Sequence, residues 1–237
     1  MKAKKFIFFI GINLLWFSCH DPNMGGNEND AKIWLIGEVH NVGWIYELEF
    51  TRWKELYNNG YRHLFVEVAY YQAESFNLWV GSEDEIIDIE SMAIDSFAHL
   101  LKKIKIVCPL TVFHGVDVGH GYWSDGEWFL EYLIENNLQD SEMYVLTLEA
   151  IEQGKIFNNR NNIANNLDWK YREYTMTSNF IREYDKLGNE RIMGIFGGAH
   201  TNYNNQANYG NYPNMAKQLR FHYGNIIYFE NYYDRER

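Results

Sequence analysis

Cysteine is almost absent from this chain, with only Cys19 and Cys108 among 237 residues. Cys19 is read below as an acylation site, which leaves Cys108 without a partner, so disulfides do not stabilise the fold. Cys108 sits in the apolar run 104–112 and is expected to be a small buried hydrophobe. Positive charge is scarce as well. The 21 Lys and Arg stand against 32 Asp and Glu, a formal net charge of −11, and loss of Lys2, Lys4 and Lys5 with a leader would lower it to −14. Such a balance excludes the basic footprint that holds nucleic acid. It also disfavours anionic lipid surfaces, so any membrane contact must come from a lipid anchor. The apolar run 6–17 is too short for a spanning helix. No tandem repeat recurs.

What is present begins with that leader. Three lysines, an apolar run broken by Gly11 and Asn13, and then Ser18-Cys19 read as a secretory signal of the lipoprotein type. Residues 1–18 would be removed and Cys19 acylated, although Trp16 and Phe17 are bulkier than the residues usual before that cysteine. The expected location is therefore the bacterial cell envelope, with the exported chain lipid-anchored to a membrane. Residues 19–30, rich in Gly, Asn and acidic groups, would form a flexible tether. Residues 31–237 are long enough for one domain with a full core.

Within that domain short apolar runs alternate with stretches of helical period, the pattern of β-α units and a mostly parallel sheet in a three-layer α/β fold. Strands are expected at 33–36, 63–68, 110–113, 191–196 and 225–229. Helices are expected at 44–59, 72–80, 91–105, 126–136, 142–157 and 169–187. Aromatic residues make up 17% of the chain, including 18 Tyr and 8 Trp. Both a large aromatic core and an aromatic cleft for a ring-containing ligand fit that composition.

The polar residues fall where such a sheet places ligands, beyond the carboxyl ends of its strands. Glu38 and His40 follow the first strand, Glu67 ends the second, His114, Asp117 and His120 follow the third, and His200 follows "MGIFGG". With 18 Gly and 8 His in 237 residues, chance gives about 0.6 Gly-x-x-His matches, and three occur. The match ending at His63 precedes a strand and serves as an internal control. Those ending at His40 and His200 follow strands, where glycine lets the chain turn sharply out of the sheet. Two chemistries suit such a cluster. An imidazole oriented by a carboxylate can take a proton from water, or His40 and His200 with a carboxylate can hold a divalent metal that acidifies the water. The local spacing has no recognised zinc signature and leaves both open.

The segment "IGEVHNVGWIYELEFTRWKELYNNGYRHLFVEV", with "HGVD" (114–117), "YREYTMTSN" (171–179) and "GGAH" (197–200), resembles the erythromycin-esterase-like, ChaN-like and Tiki/TraB superfamily. The resemblance rests on the order and spacing of the pieces across about residues 33–201. It implies that Glu38, His40, Glu67 and His200 occupy active-site positions and that Arg172 is the family's helix arginine. Proteins of this group include metal-independent esterases, metal-dependent peptidases and a haem-binding lipoprotein. The expectation is an exported ester or peptide hydrolase. His40 would be its base, held by Glu38 or Glu67, with His200 and Arg172 stabilising the polarised carbonyl and His114 and Asp117 near the substrate. The alternative is a haem- or iron-binding surface lipoprotein.

Overall fold

Five runs dominated by Ile, Leu, Val and Phe pair into one sheet in the structure, a computed structural model that describes residues 28–83, 95–161, 167–203 and 211–232. The strands are β1 (Ile33–Glu38), β2 (His63–Ala69), β3 (Val112–Asp117), β4 (Ile192–Gly197) and β5 (Ile227–Asn231), in the order β3-β2-β4-β1-β5 with every pair parallel. All six residues of β1 and of β4 are buried. That explains their continuous apolar character, because a parallel sheet is covered on both faces. The leader and residues 19–27 of the tether lie outside the described residues. Among those described, no helix is long and apolar enough to cross a membrane.

Side chains alternate across the sheet and divide the core in two. On one face Trp34, Ile36, Leu64, Val66 and Met193 pack against α1 (Gly43–Asn58), α2 (Tyr70–Val80) and α3 (Asp95–Val107). Cys108 is fully buried there, as expected from its apolar run. Trp53 is buried in the same layer, and its indole N–H finds Thr111 Oγ1 at 3.0 Å, so this large ring keeps no unsatisfied donor. On the other face Leu35, Phe65, Val116 and Phe196 pack against α6 (Leu167–Lys186) and α8 (Met215–Tyr223). Between these layers in sequence, α4 (Glu127–Glu135) and α5 (Glu142–Asn161) make a satellite core with Tyr71. The last helical element, α7 (Gly198–Thr201), is a single turn that follows β4 directly.

One expected boundary is wrong in a way that matters. The third strand does not end at Phe113 but runs from Val112 to Asp117, so "HGVD" is strand and not loop. Gly115 is what makes this possible. A Cβ there would stand 2.3 Å from the Ala69 carbonyl oxygen, so the glycine permits close strand approach instead of marking a strand end. Val66 pairs with Gly115 and Ala69 with Asp117, which leaves one extra residue in β2. The resulting bulge falls at Glu67 and Val68.

Candidate active site

Parallel strands bring Glu38, Glu67, Asp117 and Gly197 to one edge, and β4 lies between β1 and β2 so that Gly197 separates the two glutamates. Glu67, re-aimed by the bulge, is the hub. Its Oε1 accepts from Arg172 Nη2 at 2.5 Å and faces His200 Nε2 at 3.3 Å and His40 Nε2 at 3.7 Å. Its Oε2 accepts the Gly197 backbone N–H at 2.6 Å. Burial alone would raise the Glu67 pKa. The positive groups around it, His200 first, outweigh that and hold it well below the usual carboxylate range.

Helix α6 supplies the support through positions 169, 172, 173 and 176, which share one face at helical spacing. Arg172 forks onto Asp117 at 2.9 and 2.7 Å and reaches Glu67 with the same guanidinium. Glu173 Oε1 meets His200 Nδ1 at 2.5 Å, while its Oε2 accepts the Met215 N–H at 2.8 Å and thereby ties α8 to the site. Met176 is fully buried in the core, and Asn179 pins β3 by donating to the Val116 carbonyl at 3.0 Å. Arg172, Glu173, Met176 and Asn179 of the "YREYTMTSN" segment thus have separate physical duties.

His40 closes the arrangement from the β1–α1 loop. Its Nδ1 bonds Glu38 Oε1, and its side chain is 53% exposed, while Glu38 is buried. The hydrogen bond that the ring donates to Glu38, and after it the facing carboxylate of Glu67, raise its pKa from 6.5 to about 10 against the opposing effect of burial. His200 is buried, which opposes its charge, yet Glu67 and Glu173 lift it to about 10 as well. Asp117 is held below the usual range, chiefly by Arg172 against burial. Four acidic side chains and three basic ones therefore compensate one another in a largely dry network.

Above them opens a cleft of about 450 Å³ whose outer walls include Val39, Trp169, Asn202 and Tyr212. A second lobe of about 260 Å³ lies beside it, sharing Glu38, His40, Glu67 and Arg172 and floored by Val66, Phe97 and Ile195.

Glu38, His40, Glu67, Asp117, Arg172 and His200 all meet here. His114 does not. It points to the α6 face, stacks on Phe65 with centroids 4.5 Å apart and shares a 2.9 Å hydrogen bond with His63. Its expected place near the substrate followed from the misplaced strand end, and the extension of β3 to Asp117 removes it from the cleft. Asp117 and Arg172 border the cleft, but Asp117 and the guanidinium Nε and Nη2 are spent on the ion pair that supports Glu67. Sequence reasoning missed Glu173, although it follows Arg172 inside a segment already singled out, and it missed Glu49.

The donor set does not suit a metal held by His40 and His200. Both ring nitrogens of His200 face carboxylates and so carry hydrogen, not a lone pair for a cation, which leaves His40 Nε2 as the single imidazole nitrogen on offer. Among the described residues no group of three or more His, Cys, Asp or Glu side chains could hold a metal ion. His200 is likewise ill placed as an axial ligand for haem.

The fold and site define a three-layer α/β domain with a carboxylate–imidazole cluster at the strand ends. No family model matches the chain, and no curated protein sequence does. Solved structures share its fold. A mutant erythromycin esterase in its open conformation superposes with a TM-score of 0.62 at 10% identity, over 85% of this chain and 70% of that one. A Bacillus cereus protein gives 0.62 at 13% identity over 89% and 70%. A succinoglycan biosynthesis protein gives 0.60 at 11% over 84% and 65%. The fold is thus the one that the resemblance in "GEVH", "HGVD" and "GGAH" implies.

Proposed function

We propose that the chain is a hydrolase of ester or amide bonds in which His40 moves the proton. One observation carries this reading: a half-exposed imidazole stands at the mouth of a cleft, with Nδ1 fixed by buried Glu38 and Nε2 turned toward the cleft over Gly197. A base needs that arrangement, one nitrogen held and the other presented. With its pKa at about 10, His40 is mostly imidazolium near neutrality, and about one molecule in a thousand holds the free base at pH 7. The working form takes a proton from water, the hydroxide adds to the carbonyl carbon, and the imidazolium so formed returns the proton to the leaving oxygen or nitrogen. Glu67, fixed by Arg172 and the Gly197 N–H, orients the water and the ring. Buried His200 supplies positive charge beside the developing oxyanion.

The test is a screen of p-nitrophenyl esters and short peptides between pH 7 and 10, with and without added divalent metal, using the protein and its His40→Ala variant. Turnover that falls at least about 100-fold in the variant, with the circular dichroism unchanged, is the expected result. Absence of turnover in every condition sinks the reading, and saturable haemin binding that disappears in a His40→Ala/His200→Ala double variant would replace it with a carrier.

We also place the reaction outside the cytoplasm, on the strength of the leader ending at Cys19. Incorporation of labelled palmitate that a Cys19→Ser variant loses is the expected outcome. Equal labelling of both forms would remove the anchor from the proposal.

A further inference from the structure

Helix α1 buries Ile45, Tyr46, Glu49, Trp53 and Leu56 against the sheet. Four of these are what an amphipathic helix calls for, and Glu49 is not. It is 0% exposed, and neither of its carboxyl oxygens has a hydrogen-bond partner. On the facing strand, Glu38 presents the same problem: Oε1 bonds His40, but Oε2 is buried and also without a partner. Three carboxyl oxygens of two acids are therefore enclosed on the concealed side of the His40 site. Buried polar atoms of this kind are nearly always satisfied in stable proteins.

We propose that Glu49 is a positioning residue of this site: its carboxyl group donates a hydrogen bond to Glu38 Oε2, through a side-chain rotation or one bridging water, and so fixes the Glu38–His40 pair. The inference rests on the hydrolase reading for its kinetic consequence only.

The surroundings supply the proton. Burial, and after it the nearby Glu38, hold the Glu49 pKa well above the usual carboxylate range, against a smaller opposing effect of His40. Glu49 therefore keeps an O–H to donate, and the partnerless Glu38 Oε2 is an oxygen that can accept it. Tyr46, one turn earlier, feels both acids, and its hydroxyl is engaged by the Asn41 N–H at 3.3 Å. Glu47 pairs with Lys103 of α3 at the exposed surface. With both oxygens held, Glu38 cannot rotate away from Nδ1. The half-exposed ring then keeps Nε2 toward Glu67, where a loop residue lacking that anchor would swing.

The experiment compares Glu49→Leu, which keeps the approximate volume and removes the donor, with Glu49→Gln, which keeps a donor without ionising. The ester turned over fastest in the screen above serves as substrate. A carboxyl group there for structure alone predicts that Leu holds or raises the Tm and leaves kcat alone. The positioning role predicts an undiminished Tm, a fall in kcat on the order of 10–100-fold with little change in KM, and near-complete rescue by Gln. Glu49→Met replaces Leu if the branched side chain lowers the Tm.

Proton NMR gives a readout that needs no substrate. The deshielded Nδ1 proton of His40, assigned by its loss in His40→Ala, is expected to persist in the Gln variant and to broaden or vanish in the Leu variant. Identical resonances and identical kcat in all forms overturn the proposal. If the wild-type protein turns over no ester or peptide, the hydrolase reading fails, and the NMR comparison still decides the role of Glu49.

Discussion

Two pairs of histidines sit on the same sheet and meet opposite fates. At the carboxyl edge, His40 and His200 each face two carboxylates, and both are lifted to about 10. Farther back along the strands, His63 and His114 face each other at 2.9 Å, and burial lowers both, His114 to about 3. Glu190 pulls His63 the other way, while His63 and then Lys186 add to the depression of His114. The lesson is that residue type sets nothing by itself. The partners that the strand ends bring within reach decide whether an imidazole is held charged at a cleft or neutral in a core.

The sharpest way to break that comparison is to remove one member of each pair. His40→Ala is expected to cost at least about 100-fold in turnover, whereas His114→Phe, which keeps the stack on Phe65, should leave kcat/KM within about twofold. Equal losses from both would mean that the carboxyl edge holds no special chemistry. Next in size is the pH dependence. If the neutral ring is the base, kcat/KM should climb about tenfold per pH unit above 7 and level off near the His40 pKa of about 10. Because the Glu38 hydrogen bond is the largest contributor to that raised value, Glu38→Gln should move the whole limb toward lower pH. A stopped-flow or plate-reader profile checks both, and a limb that stays in place would detach the rate from His40.

The sequence made much of this edge legible. Apolar runs interrupted by helical periods predict β1, β2 and β4 closely. Position after a strand singles out His40 and His200 and sets aside His63, which the structure places as the first residue of β2. Two things were hidden, for physical reasons. Gly115 reads as a strand end when glycine is taken as a turn residue, and only the approach of the Ala69 carbonyl shows otherwise. Glu47 and Glu49 look alike in "YELEF", yet one is exposed and the other buried. The available signal was that Glu49 falls in line with Ile45 and Trp53 at intervals of four, the stripe of a core-facing helix. Glu173 needed the third dimension, because its partner His200 lies 27 residues away on another element.

Stability should carry the same contrast, as two limbs of opposite sign. His200 has a folded pKa near 10 against about 6.5 when unfolded, so its contribution is complete below about pH 6.5 and is lost as pH rises toward 10. His40 acts in the same direction, weakened by solvent. His114 has a folded value near 3, so its contribution is present above about 6.5 and is lost as pH falls toward 3. Urea midpoints measured from pH 4 to 10 are expected to form a dome. His200→Asn should flatten the alkaline side and His114→Phe the acid side, and crossed effects would reverse the assignment of the pairs.

The smallest effect concerns Gly197, the residue on which the two glutamates and His40 converge. A Cβ there would lie 3.0 Å from His40 Nε2 and 3.3 Å from Glu67 Oε2. Both neighbours are ends of side chains, so Gly197→Ala can be accommodated by a shift of a few tenths of an ångström. The backbone N–H that Glu67 Oε2 accepts is retained in this variant. Stability should therefore change little, while the larger share of the displacement falls on the nitrogen that must face the substrate, with a smaller one on Glu67 Oε2. A three- to tenfold drop in kcat/KM is expected, with the Tm shifted by about 2 °C or less. Full activity in Gly197→Ala would show that His40 Nε2 tolerates displacement over Gly197, and that the carboxyl edge differs from the core pair in charge but not in geometric demand.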